Sequence, residues 1–461
     1  MKSNKKTEMI GNEGIVLLDT VRRLSRRKAK DRLLKLLEKT HPADTAWIFR
    51  HLTPHERSHI FSIISQTSQV GEFLSELDRT IMLDLVINLT PLYLAGVVEE
   101  MPPDDAADFL EHLPDDFASQ IRKHMGREDR EEVEQLLQYD SETAGGRMSP
   151  DFLALDDELS VDEAIKWVQE NSEEMEMAFY LYITHGDEGQ LAGVLSLREL
   201  LTHKPYRQLK NIMNSSVIAV TTDTDQEEVA HIVSQYNFLA VPVVDSAYKL
   251  VGIITVDDII DVIREEVTED FLQMAGAGKD REILLKSTWD NATTRAPWLF
   301  ASWIGGVVAV FVINFFEAEL QQVLALAGFI PIVMGMGGNL GTQSSTIVVR
   351  GIATGRINLN ALSQFVFKEM RVGLLLGSLY GFLLGGVAFL SFGASGKLGL
   401  VVGLSVLFAM TLAATVGTFV PLALKRLDID AAVATGPFVT TAIDIIGVSA
   451  YFFIAKFFLN L

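Results

Sequence analysis

Asp444 sits in an otherwise uncharged run, Ala431 to Ala455, long enough to cross a bilayer. At about 1.5 Å per residue it stands roughly 20 Å along that run, near mid-membrane. A carboxylate there costs about 2.5–3.5 kcal/mol on insertion scales, so it usually faces a partner or a watery path. A structural hydrogen bond to a neighbouring helix is the plainer alternative. Thr440 lies one turn earlier on the same face. Thr435-Gly436-Pro437 precedes both, and Pro437 has no N–H, which would free a carbonyl near Val433. A carbonyl, a hydroxyl and a carboxylate in line make an oxygen-lined path for a hard cation. A second polar run, Gly335-Met-Gly-Gly-Asn339-Leu-Gly341-Thr-Gln343-Ser344-Ser345, lies in another apolar stretch. Asn339 and Gln343 are four apart and share a helix face. Small residues here also suit close helix packing, with amides bonding across helices. No His follows His231, and no Lys or Arg lies near the centre of an apolar stretch, which argues against a His relay or an ion pair to Asp444. Mg²⁺ takes oxygen ligands and dehydrates reluctantly. One carboxylate per chain cannot strip it, so a hydrated ion held through its waters by Asp444 from two subunits fits better.

The elements that must position these groups are five apolar stretches: Pro297–Phe316, Leu320–Val349 (interrupted by Pro331), Val372–Gly396, Leu398–Leu424 and the run around Asp444. Each is long enough to span. Arg350, Arg356, Lys368 and Arg371 fall in the second loop, and Lys425 and Arg426 in the fourth. The positive-inside rule puts those loops in the cytoplasm, with the N-terminal body inside and the C-terminus outside. The expected location is a bacterial-type inner (cytoplasmic) membrane, crossed several times. No apolar h-region follows the first basic residues, so no signal peptide is expected.

Charge divides the 461-residue chain. The formal total is −21, but residues 41–296 carry −30 and the first forty carry +7. The acidic body repels nucleic acid and attracts divalent cations. The basic arm around Arg22, Arg23, Arg26, Arg27 and Lys28 could touch anionic lipid, although a solvated helix face is the ordinary reading. With no Cys, disulfides and thiolate metal sites are excluded.

Residues 41–135 read as a small helical superhelix punctuated by Leu52-Thr-Pro54, Leu89-Thr-Pro91, Met101-Pro-Pro103 and Leu113-Pro114. Thr53-Pro54-His-Glu56 is a helix start with cap, first-position proline and Glu. Asp104 and Asp108 lie one turn apart, on a solvated face or a cation patch. Residues 145–264 contain a degenerate repeat of helix, strand, turn, strand, helix. Its copies run from Met148 through Asp187 to Leu201, and from Met213 through Asp245 to Ile260. The repeat looks like a tandem pair of CBS modules, which regulate rather than catalyse. Such pairs often bind adenine nucleotides through Ser/Thr-x-x-Asp. Thr255-Val-Asp-Asp258 matches; Ser196-Leu-Arg-Glu199 carries Glu instead. Glu199 could hold a ribose diol, with Tyr180 or Phe238 near the base and Arg198 near phosphate. A pair without nucleotide is as reasonable. Asp257, Asp258, Asp261, Glu265, Glu266, Glu269 and Asp270 then recur at helical spacing. At ~5 Å and an effective dielectric of ~20 each such pair repels by about 3 kcal/mol before screening. A solvated face is one reading; the position between a sensor-like module and the spans favours a cation-dependent linker.

The order of superhelix, CBS pair, acidic connecting helix and five spans resembles the MgtE family of Mg²⁺ channels/transporters. Gly337-Gly-Asn-Leu-Gly-Thr-Gln-Ser344 and Gly436-Pro-Phe-Val-Thr-Thr-Ala-Ile-Asp444 are close to that family's motifs. The resemblance implies a multidomain membrane protein: basic helical arm 1–40, α-helical superhelix 41–135, α+β CBS copies 136–205 and 206–264, connecting or plug helix 265–296, and five-span α-helical domain 297–461. It implies a homodimer in the lipid bilayer, with hydrated Mg²⁺ held by both Asp444 residues. It also implies closure when intracellular Mg²⁺ binds acidic faces. The matching positions are Asp104, Asp108, Asp225, Glu227, Asp258, Asp261, Glu266, Glu269 and Asp270, with Asp430 at the inner mouth. ATP at the CBS pair is implied too. Asn237 departs from the acid expected there in some relatives, which weakens one ion site. No GxxxxGK[ST] occurs, so influx is expected to be passive. The competing readings are a Co²⁺ or Mn²⁺ transporter on the same architecture, an intramembrane aspartyl protease formed by a dimer, and a membrane-anchored CBS sensor.

Overall fold

The computed structural model describes residues 3–171, 179–186, 189–357, 362–392, 396–427, 429–434 and 436–460. Asp187 and Thr435 lie outside the described residues. The chain forms two compact units, Met1–Ile263 and Arg264–Leu461.

The first unit opens with α1 (Ser3–Arg26), α2 (Lys30–Leu37), α3 (Pro42–Arg50), α4 (Pro54–Ile64), α5 (Val70–Ser75), α6 (Arg79–Val86), α7 (Pro91–Val98), α8 (Pro103–Glu111), α9 (Asp115–Arg122) and α10 (Arg127–Leu136). Prolines punctuate this array because their missing N–H is harmless at a first helical position. Thr53 and Glu56 close the expected capping box on α4. Each short helix buries one stripe, and Phe49, Ile60, Phe73, Leu94 and Leu110 form a shared core.

After α11 (Ala144–Arg147) come β1 (Ala154–Asp156), α12 (Val161–Asn171), β2 (Tyr180–His185), β3 (Gln190–Ser196) and α13 (Leu197–Thr202). The second copy follows with β4 (Val220–Thr221), α14 (Gln226–Tyr236), β5 (Ala240–Val244), β6 (Leu250–Thr255) and α15 (Val256–Met274). Each copy is a three-stranded sheet, one parallel and one antiparallel pairing, in the orders β1-β2-β3 and β4-β5-β6. The segment entering the first copy does not pack there. Ala144 N–H donates to the Thr224 carbonyl (2.7 Å), Gly145 N–H to that of Thr222 (2.9 Å), and Ser149 pairs with Ile253. The superhelix core therefore continues into Val229, Val241 and Ile254 of the second copy.

The second unit holds the end of α15, then α16 (Thr288–Phe315), α17 (Glu317–Gln322), α18 (Ala325–Ala353), α19 (Leu362–Phe392), α20 (Gly396–Lys425) and α21 (Pro437–Leu459). Among the described residues, α16, α18, α19, α20 and α21 are long and apolar enough to cross a membrane. Residues 265–296 are not one helix. Helix α15 stops at Met274, Gly276 and Gly278 adopt positive φ, and α16 starts at Thr288, before Pro297. Glycine is the residue that takes such a backbone without strain.

Contacts fix the directions of the spans. Gly305 of α16 meets Thr441, and Phe316 stacks on Phe452 at 4.9 Å, so α16 and α21 run parallel. The Tyr451 hydroxyl donates to the Leu326 carbonyl (2.9 Å) while Gly338 neighbours Asp444, so α18 and α21 run antiparallel. Lys456 Nζ reaches Glu319 Oε1 at 2.6 Å, tying the end of α21 to α17, the short helix that follows α16. Helices α19 and α20 meet through facing glycines. A Cβ on Gly381 would lie 2.5 Å from the Gly403 oxygen, and one on Gly385 would lie 2.6 Å from that of Gly399. Without hydrophobic driving force in lipid, such close backbone packing supplies the attraction. Gly381→Ala should therefore destabilise the membrane unit by roughly 1–3 kcal/mol. Gly386→Ala, with open space around it, should be silent. Thermal melts in detergent compare the two; equal midpoints would contradict the seam.

Candidate cation site

Asp444 is partly buried on α21. A Cβ at Gly338 would lie 3.7 Å from its Oδ1, an ordinary contact, so α18 passes beside the carboxylate; the tighter approach is at Gly341, where a Cβ would clash with Ile443. Gly337 packs on Ile443 in the same way. Asn339 and Gln343 follow on α18 with exposed side chains. Sequence reasoning had these groups on two helices, and the structure brings the helices together. Their placement in depth differs. Pro437 is the first residue of α21, not an interior kink. Its missing N–H is one that a helix start never uses, so no carbonyl is freed near Val433. Asp444 consequently lies about 10 Å from the start of its helix. Thr440 Oγ1 donates back to the Gly436 carbonyl (3.4 Å).

The sequence did not single out Glu369. The apolar count began the third span at Val372 and left Lys368 and Arg371 in a loop, but α19 starts at Leu362. Glu369 is partly buried there, and its Oε2 accepts from Ser344 Oγ at 3.0 Å. The polar run on α18 thus ends on a second carboxylate. The signal was available in Phe365-Val-Phe-Lys-Glu-Met-Arg, charges embedded in apolar residues at helical spacing.

The ends of α15 and α18 and the start of α21 converge within the second unit. Gly436, just before α21, lies beside the carbonyls of Gln273 and Met274, and Met274 packs with Val349, Ala431 and Ala432. Asp430 is exposed, and its Oδ1 accepts from the Ala432 N–H (2.8 Å). The acidic face of α15 is not left to outside cations. Arg281 returns from the loop to Glu265 (2.5 Å), Glu266 (3.6 Å) and Glu269 (3.3 Å), and Lys279 reaches Glu269 (2.9 Å). Gln273 donates to buried Glu269 at 2.9 Å. The repulsion expected from spacing is therefore offset by the chain's own cations. Asp270 is partly buried on the same helix.

In the first unit, α8 presents Asp104 and Asp108 towards the second CBS copy. Arg147 bonds Asp108 (3.2 Å) and Gln226 (3.0 Å). Asp258 is partly buried; its Oδ2 accepts from Thr255 Oγ1 at 2.5 Å. Burial pushes its carboxyl up to about 7, the Thr255 hydroxyl opposes this, and the Asp104 charge adds to it. Asp225 caps α14 by accepting the Glu227 N–H (2.8 Å), and Asp261 is exposed. Among the described residues no three His, Asp or Glu side chains stand close enough to hold an ion. The acidic positions are thus not a preformed site in one chain.

The nucleotide candidates divide. Tyr180 pairs with Ser196 across β2 and β3, next to Arg198 and Glu199. Glu199 Oε2 accepts from the Ser196 N–H (2.9 Å) and hydroxyl (2.7 Å), closing a capping box, and these bonds hold its carboxyl below the usual range. Phe238 belongs to the equivalent end of the second copy, where it stacks on Tyr236 at 5.4 Å. Asn237 ends α14 in a left-handed conformation.

Fold and site together define an integral-membrane transporter whose spanning helices are fused to a CBS pair and a helical superhelix. Residues 330–454 match the family model described as a divalent cation transporter (MgtE), 40–142 that of the MgtE intracellular N domain, and 209–265 that of the CBS domain. A magnesium transporter MgtE of Bacillus subtilis is 34% identical, covering 92% of this chain and 93% of its own. One from Thermus thermophilus is 34% identical over 93% and 95%. The crystal structure of the cytosolic domain of the Mg²⁺ channel MgtE in complex with ATP matches with TM-score 0.50 and 32% identity, covering 53% of this chain and 99% of that one. The chain belongs to the MgtE magnesium transporter family.

Asp258 ionises near its ordinary value in the unfolded chain and near 7 when folded. The folded state therefore holds the extra proton, and this group lowers stability as pH rises from about 4 to about 7. Asp258→Asn should stabilise the protein at pH 8 without divalent ions by about 1–4 kcal/mol, and the gain should fade towards pH 4. Thermal unfolding across that range checks the sign.

Proposed function

We propose that the protein is a Mg²⁺ channel or transporter mediating passive magnesium influx, closed by intracellular Mg²⁺, and not an enzyme. The observation that carries this reading is the Asp444 carboxylate held against the Gly-rich turn of α18 that also bears Asn339 and Gln343. Two exposed amides on a membrane-spanning helix are costly against lipid. A second copy of the chain would turn that face inwards and place two Asp444 carboxylates across one path. A homodimer holding hydrated Mg²⁺ through its waters follows, with Thr440 and Asp430 further along the route. Co²⁺ or Mn²⁺ would find the same oxygen donors, and uptake into liposomes with each metal separates them.

For regulation, the end of α15 lies at the foot of α21, where a shift in the acidic helix would reach the path. Ions bridging Asp104, Asp108, Asp225, Glu227, Asp258 and Asp261, or Glu266, Glu269 and Asp270, would favour closure. The relative solved with ATP supports adenine nucleotide binding at the CBS pair, through Tyr180, Arg198 and Glu199 in one copy or Phe238 in the other. The parallel course of α16 and α21 agrees with an odd number of crossings, N-terminal units in the cytoplasm and a C-terminus outside an inner membrane.

Asp444→Asn should reduce Mg²⁺ flux into proteoliposomes at least tenfold, because the barrier rises by more than about 1.4 kcal/mol when the charge is lost. Unchanged flux would remove Asp444 from the path. Arg281 and Lys279 compete with divalent ions for the acidic face, so Arg281→Gln should close the protein at lower internal Mg²⁺. A pair worth roughly 1 kcal/mol gives about a fivefold shift in the inhibition curve. A superimposable curve would show that ions do not displace the arginine.

A further inference from the structure

The basic arm has an outward face that the path and its regulation leave unused. Helix α1 buries Leu18 and Val21 against α2–α4, with Leu17 and Leu24 beside them. Its opposite face is regular. From Val16, steps of seven and eleven residues reach Arg23 and Arg27; from Ile15, steps of four and eleven reach Asp19 and Arg26. Ile15 and Val16 are 53% and 64% exposed, and Arg23, Arg26 and Arg27 are exposed beside them. Lys28 then takes a positive φ of 54°, turning the chain into α2, where Lys30 and Arg32 are exposed as well.

Solvated cations near a helix C-terminus are common, since they suit its partial negative charge. That accounts for one or two of them. It does not account for a run of basic side chains left without ion pairs in a unit so rich in acids. Arg22 pairs with Glu56 at 3.5 Å, whereas Arg23, Arg27, Lys28, Lys30 and Arg32 form no ion pair among the described residues. Nor does it account for two large aliphatic side chains exposed in line with them. Aliphatic side chains and guanidinium groups on one exposed helical stripe are the features of an interfacial helix on anionic lipid.

We propose that the face of α1 formed by Ile15, Val16, Arg23, Arg26 and Arg27, extended by Lys28 and Lys30, docks on the anionic phospholipid headgroups of a bilayer. Charge complementarity selects this occupant. Residues 41–296 carry −30 and are repelled by such a surface, while the arm carries +7. The aliphatic pair adds a short apolar insertion that a nucleic acid backbone would not reward.

The chain has no cysteine, so Val16→Cys gives a single labelling site at an exposed position. The full-length protein, labelled there with an environment-sensitive dye, is reconstituted in phosphatidylcholine vesicles with or without phosphatidylglycerol. The expected result is a blue-shifted emission, quenched by spin-labelled lipid, with phosphatidylglycerol present and not without it. Raised salt should reverse it. Replacing Arg23, Arg26, Arg27, Lys28 and Lys30 by Gln should weaken the docking roughly tenfold or more. Identical emission in both vesicle types overturns the proposal. So does a shift that survives the five substitutions, or one produced by added duplex RNA in neutral vesicles. Ile15→Cys as a second labelling site guards against a local effect of the first.

Discussion

Hydrocarbon offers a charge nothing to bond with, and that constraint organises the membrane unit. The Asp444 carboxylate is tolerable where helices leave it room and keep polar groups near. Glycine provides the room: Gly337 and Gly341 let α18 run beside Ile443 of α21, and Gly305 lets α16 close on Thr441. Further along, the Tyr451 hydroxyl on the Leu326 carbonyl holds α21 to α18, and the Lys456–Glu319 pair holds it to α17. Packing and polarity are thus one arrangement, in which small residues bring backbones close and the few polar side chains occupy the space so defined.

The first unit manages charge differently. Its acids are neutralised locally where the fold allows, as Arg147 does between Asp108 and Gln226. Where it does not, as at Asp258, the carboxyl shifts towards its neutral form. The superhelix joins the second CBS copy through backbone pairing at Ala144, Gly145 and Ser149 and through a continuous apolar core. The junction therefore has a hydrophobic base and an acidic rim in which Asp104 and Asp258 repel one another.

Much of this was legible in the sequence. The five apolar lengths, the repeated strand–turn–strand pattern and the capping box at Thr53 are local signals, and local signals survive into the fold. Errors arose where a second segment decided the outcome. Spacing showed the acidic stripe on α15, but Arg281 returns to it from a loop many residues away. Hydropathy placed Asp444 at mid-run because it cannot tell a helical residue from an apolar one before a helix start; Pro437 marks that start. The same blindness put Lys368 in a loop and hid Glu369, whose partner Ser344 lies on another helix. Order along the chain assigns the entry segment of residues 143–149 to the first copy, while its hydrogen bonds belong to the second.

The glycine seam between α19 and α20 bears on mechanics. Where backbones touch along several turns, bending either helix separates carbonyl from Cα at every contact, so the pair behaves as one stiff plank. Any bend in the unit is therefore expected outside that pair, as in the loop after Met274 where Gly276 and Gly278 take positive φ. A plank of this kind moves as one body or not at all, so a push at one end of α19 or α20 is felt at the other as a tilt of both.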